Sequence, residues 1–146
     1  MGTRTETAVE HEEGLRHFIS PEWRRRFRDG LASEKQRPKV VSKLAHFNHL
    51  DYRFATNVKS AEQNSNALGV ELRRRGAGDR CQVVSEDPDI DGLEMSLSTA
   101  LEAVVDRSYA TFVSCIPGKL AYFHDEEIEQ RFILDRSTAA PRPQRR

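Results

Sequence analysis

The sequence predicts an α+β domain in which N-terminal helices pack on a mostly antiparallel sheet of about four strands, with one strand-helix-strand unit. Three observations carry that prediction. Helical periodicity with capping residues fills the first half, the apolar period shortens to two from Arg80 onward, and Pro117-Gly118 joins two apolar runs as a tight turn.

The first helix is announced by Ser20-Pro21-Glu22: an N-cap hydroxyl, a proline where the missing N–H costs nothing, and an acid at the positive end of the dipole. It runs from Pro21 to about Ala32, with Trp23, Phe27 and Leu31 recurring every four residues as its buried stripe. A second helix begins near Pro38. Val40, Val41, Leu44 and Phe47 share one face with Leu50 on its edge, so that His46 and His49 project side by side from the other. Tyr52 to Thr56 reads as a short extended piece or a connecting loop. A third helix starts at Ser60, which forms a capping-box pattern with Gln63, and ends at Arg73-Arg74-Arg75 before Gly76. Asn64, Asn66 and Gly69 weaken it, leaving Ala61, Leu68 and Leu72 to hold it by packing.

Cys81 to Ser85 is the first clear strand, Glu86 to Glu94 an acidic loop, and Ser96 the cap of a helix over 97–106 whose apolar face is Leu97, Leu101, Val104 and Val105. The run Tyr109 to Ile116 is apolar on both alternating sets: Tyr109, Val113 and Cys115 on one, Ala110, Phe112 and Ile116 on the other. A strand of that kind belongs at the centre of a sheet covered on both faces. Lys119 to His124 returns beyond the turn as its hairpin partner, and Arg131 to Asp135 adds a further antiparallel strand.

A single domain is expected over 14–136, between a disordered N-terminal tail (1–13) and a disordered basic Pro/Arg tail (137–146), since neither end carries enough apolar residues to offset its ordering entropy. Neither a membrane-length apolar stretch nor a secretory signal is present, which makes a soluble, cytoplasmic protein the expectation. Cys81 and Cys115 lie inside strand-like runs and read as buried structural thiols.

The formal net charge is zero, yet charge is sorted along the chain. Residues 1–80 hold 16 Lys/Arg against 11 Asp/Glu (+5), residues 81–136 hold 4 against 12 (−8), and the last ten add 3 arginines. Halves so charged attract each other or meet different partners.

Asp87-Pro88-Asp89-Ile90-Asp91-Gly92 opens like a calcium loop, with Asp87, Asp89 and Asp91 as candidate oxygen ligands for a divalent cation. The twelfth position, where a bidentate Glu is required, is Ser98, and the preceding segment is a strand rather than a helix. Acids ahead of a helix also arise from dipole preference and turn chemistry alone. His46 and His49 with Asp51 are a second metal candidate, without a third ligand fixed by spacing. His124, among acids, reads as part of a charged hairpin loop. Arg24, Arg25, Arg28, Arg73, Arg74 and Arg75 would serve a nucleic-acid surface, but they are spread around their helices and diluted by Glu22 and Asp29.

No nucleophile elbow, phosphate-cradling loop or dinucleotide fingerprint occurs in the sequence, which leans the reading away from an enzyme and from any bound cofactor beyond a divalent cation. The favoured expectation is a non-enzymatic interaction or regulatory domain of inhibitor or immunity type. Its acidic residues Glu86, Glu94, Asp125, Glu126, Glu127 and Glu129 would dock on the basic surface of another protein. A metal-dependent small enzyme or metal-binding protein using Asp87, Asp89 and Asp91 is the alternative, and an arginine-helix nucleic-acid binder the second.

Overall fold

The computed structural model describes residues 5–107, 109–127 and 130–136. Among the described residues, five α-helices and a six-stranded antiparallel sheet make up an α+β fold. The helices are α1 (Glu6–Gly14), α2 (Pro21–Ala32), α3 (Arg37–Ser42), α4 (Ser65–Arg74) and α5 (Leu97–Val105). The strands are β1 (Ala55–Asn57), β2 (Arg80–Ser85), β3 (Glu94–Ser96), β4 (Thr111–Ile116), β5 (Leu120–His124) and β6 (Phe132–Asp135), in the spatial order β1-β6-β5-β4-β2-β3. Two strands more than expected appear because β1 and β3 are three-residue edges, too short to show a period in sequence.

The sheet is covered on both faces. Phe27, Leu31, Leu44 and Phe47 from the α2–α3 region pack on Val84, Phe112, Phe123 and Leu134. Leu68, Leu72, Leu101 and Val104 from α4 and α5 pack on Val83, Val113, Tyr122 and Ile133. Alternation along β2, β4, β5 and β6 thus feeds two cores, the requirement of a strand buried on both sides. The turn after β4 is as expected: Gly118 has φ +70°, and the Lys119 N–H donates to the Ile116 carbonyl at 2.9 Å. A register shift between Ser114 and Ile116 moves Ile116 off the Phe112 side predicted for it and onto the α4–α5 core.

Helix α2 has the bounds read from the sequence, although the Ser20 hydroxyl makes no capping bond and has no partner among the described residues. Ser20 is instead fixed by its backbone, the N–H donating to the His49 carbonyl at 2.7 Å. The third predicted helix starts later than Ser60. Ser60–Glu62 is a 3-10 turn, and α4 is capped by Asn64, whose side chain accepts from the Ala67 N–H at 2.8 Å. Gln63 cannot close a capping box because its amide bonds to the Val58 carbonyl and to Arg131.

The expectation of a disordered tail over 1–13 is corrected for residues 5–13, while residues 1–4 lie outside the described residues. Glu6–Gly14 is helical, capped by the Thr5 hydroxyl. Its anchors are polar: His11 Nδ1 meets Ser114 Oγ at 2.7 Å, and Glu12 pairs with Arg37 at 2.7 Å. The helix end lies so close to the β4–β5 turn that a Cβ on Gly14 would sit 2.4 Å from the Gly118 nitrogen. The tail read over 137–146 lies outside the described residues.

Candidate functional site

Ser85, Thr111 and His124 pair side by side across β2, β4 and β5. The acidic segments that follow β2 and β5 therefore leave the same end of the sheet, roughly 10 Å apart at two inter-strand spacings. The chain from α3 to His46 spans that gap. At its start Arg37 reaches the first acidic loop, and at its end His46 reaches the second.

In the first loop the acids turn inward. Asp91 accepts from the Ser85 N–H at 2.9 Å and from Arg37 Nε at 2.8 Å, while Arg37 also grips Glu12 at 2.7 and 3.0 Å. Asp87, buried, accepts from the Asp89 N–H at 3.0 Å and from Arg107 at 3.0 Å. Glu86 accepts from the Ala110 N–H at 2.9 Å. Burial opposes the charge on Arg37, but the hydrogen bonds it donates to Asp91 and Glu12 outweigh it and hold its pKa above the usual guanidinium value. For Asp87, Asp89 and Asp91 to ligate one ion, Arg107 and Arg37 would first have to leave.

Around this buried cluster opens a cleft of about 600 Å³. Leu31, Val41 and Pro88 give it apolar walls, Arg37 and Asp91 line it, and Glu34 and Glu86 add carboxylates. Glu34 and Asp89 are exposed and form no ion pair among the described residues. Glu94 is exposed on β3 and lies 3.5 Å from Arg80.

In the second loop Asp125 is fully buried, and that burial raises its pKa. Its carboxylate accepts from the backbone N–H groups of His46 and Glu126, at 3.1 and 2.8 Å. Glu126 and Glu127 are exposed and flank the His46 ring at 3.2 and 2.9 Å. Glu129 lies outside the described residues. Among the described residues, three metal-ligand-type side chains bring atoms within 4.8 Å of one another at His46, Asp125 and Glu127.

The expected side-by-side pairing of His46 and His49 on a helix is corrected. The helix stops at Ser42, and His46, four residues beyond it, adopts φ +58°, outside the helical region. His49 instead stacks on Trp23 with ring centroids 4.2 Å apart. Asp51 accepts from Arg53 and lies 3.2 Å from Arg24, and these bonds, Arg53 first, lower its pKa.

The arginine runs do not form one surface, because α2 and α4 cover opposite faces of the sheet. Arg24 bonds Asp51 and the Ile19 carbonyl, Arg25 and Arg28 face Asp29, Arg73 bonds Ser98, and Arg74 and Arg75 share Glu71. Those last two bonds, Arg74 first, pull the Glu71 pKa down to about 2.

The remaining reactive groups are locked into the interior. Burial pushes the Cys81 thiol up to about 12 and raises Cys115 as well. His124 Nε2 faces the Arg107 carbonyl at 3.1 Å, and a carbonyl only accepts, so Nε2 carries the proton and Nδ1 receives the Tyr122 hydroxyl at 2.8 Å. Burial, with Arg131 adding to it, lowers the His124 pKa to about 4.

Sequence reasoning missed Arg37, Glu12 and Glu34. No local pattern marks them: Arg37 and Glu12 act only because segments 25 and 54 residues apart along the chain meet at one guanidinium, and Glu34 only because it lines the cleft that opens there. No helix among the described residues is long and apolar enough to cross a membrane. Comparison with protein-family models, curated proteins and solved structures finds no match.

Proposed function

We propose that the protein is a non-enzymatic interaction or regulatory domain, of inhibitor or immunity type, that receives a basic segment of a partner protein at the acidic end of its sheet. The observation that carries this reading is the cleft of about 600 Å³, where apolar walls meet the carboxylates of Glu34 and Glu86 beside an internally neutralised Arg37. A lysine or arginine has an aliphatic stem and a charged tip. The apolar walls suit the stem, and Glu34 and Glu86 suit the tip, with the exposed Asp89 next to the lining residue Pro88. Glu126 and Glu127, at the same end, extend the negative field and would steer a basic partner toward the mouth.

The test is fluorescence anisotropy with a labelled lysine- and leucine-containing peptide, titrated into the full chain at increasing salt. Binding is expected to weaken with salt and to fall on the order of tenfold in Glu34→Lys/Asp89→Lys, two exposed positions whose change leaves the fold intact. Equal affinity for the unaltered chain and this variant would remove the reading.

A further inference from the structure

Helix α3 separates two clefts of opposite character. On the side away from the acidic cleft, a groove of about 290 Å³ runs between α2 and α3, floored by Trp23, Phe27, Val40 and Phe47. The helices approach closely here, since a Cβ on Gly30 would lie 2.2 Å from Val40 Cγ2. Lys39, Lys43 and Arg26 line the groove, and all three are exposed. The Arg26 guanidinium lies 4.7 Å and the Lys43 ammonium 5.8 Å from the Trp23 ring centroid.

None of these three cations has a carboxylate partner among the described residues. The one acid in the lining, Asp29, already faces Arg25 and Arg28. The groove therefore joins an apolar floor to a positive rim with no internal counter-charge. That is the complement of an anionic chain bearing an apolar side chain, and it lies across α3 from a cleft that prefers the opposite charge.

We infer that this groove is a second binding site, which takes an acidic peptide segment anchored by one large apolar side chain. The anchor seats between Val40, Phe27 and Phe47, and the flanking carboxylates meet Arg26, Lys39 and Lys43. A nucleic acid fits less well: the indole is already stacked by His49 at 4.2 Å and approached by Arg26, so a base would have to displace one of them. The inference stands independently of the acidic cleft, because the two sites have different walls and want ligands of opposite charge.

Trp23 is the chain's only tryptophan, so its emission reports on the groove directly. The full chain is titrated with a short synthetic peptide of aspartate, glutamate and serine carrying one central leucine, and the same peptide, labelled, is followed by anisotropy. The expected result is a saturable change in Trp23 emission, weakened on the order of tenfold by Lys39→Glu/Lys43→Glu and by leucine-to-serine replacement in the peptide. Lys39→Gln/Lys43→Gln, a gentler change, is expected to lose affinity in the same direction while still binding the basic peptide used for the acidic cleft. Absence of a saturable change, equal affinity in the charge-altered variants, or tighter binding of a single-stranded oligonucleotide than of the peptide would each overturn the inference.

Discussion

The two faces of the sheet bury polar networks built on opposite principles. On the face covered by α1 to α3, Arg37 is clamped between Glu12 and Asp91, and all three side chains are at most 20% exposed. On the face covered by α4 and α5, Tyr122 and His124 form a neutral chain that ends on the Arg107 carbonyl. The charged network joins three segments far apart in sequence, whereas the neutral one joins two alternate residues of β5 to the end of α5. A guanidinium with two carboxylates can tie a helix, a second helix and a loop into one arrangement, but removing its centre strands both acids in a low-dielectric site. The neutral chain fixes less and costs less to break. It is the charged network that lines the cleft, so the site's shape depends on the more fragile of the two.

The strongest way to break this contrast is Arg37→Met. It leaves Glu12 and Asp91 without their shared cation and is expected to destabilise the fold by ~3–5 kcal/mol, read from the urea midpoint. A loss below ~1 kcal/mol would mean that the network is not a structural tie.

Acid sharpens the comparison from the neutral side. The His124 pKa is about 4 in the folded chain against 6.5 unfolded, so between these values the unfolded chain binds the proton that the folded chain refuses. Its contribution is fully present above pH 6.5 and is lost as pH falls toward 4, amounting to ~3 kcal/mol. His11, whose pKa burial also lowers, acts in the same direction. Ring resonances of His124 that titrate near pH 6.5 in the folded protein would contradict a buried neutral imidazole.

Tyr122→Phe should have the smallest effect, on the order of 1–2 kcal/mol, because it deprives His124 Nδ1 of its donor without leaving a charge unpaired. Thermal or urea unfolding at pH 7 measures it. A cost equal to that of Arg37→Met would erase the distinction between the two networks.

How much of this was legible in the sequence follows from the range of the interactions. Helix α2 declared itself through Pro21 and a four-residue apolar repeat, and the β4–β5 hairpin through Pro117-Gly118. Helix α1 did not, because it docks through His11, Glu12 and the bare Cα of Gly14 rather than through an apolar stripe. The acidic run from Glu86 to Asp91 suggested a free negative face, yet Asp87 and Asp91 are answered by Arg107 and Arg37. His46 and His49 looked like neighbours on a helix, but the helix ends at Ser42, His46 is itself left-handed and His49 stacks on Trp23.

Periodicity, capping and turn chemistry act over a few residues, and they determined the α+β class, the doubly covered central strand and the hairpin. Which acids are neutralised, which cations stand free and where clefts open were decided by contacts between segments tens of residues apart. Coulomb and packing forces act through space, so their balance at Arg37 and around Trp23 exists only once the chain has folded.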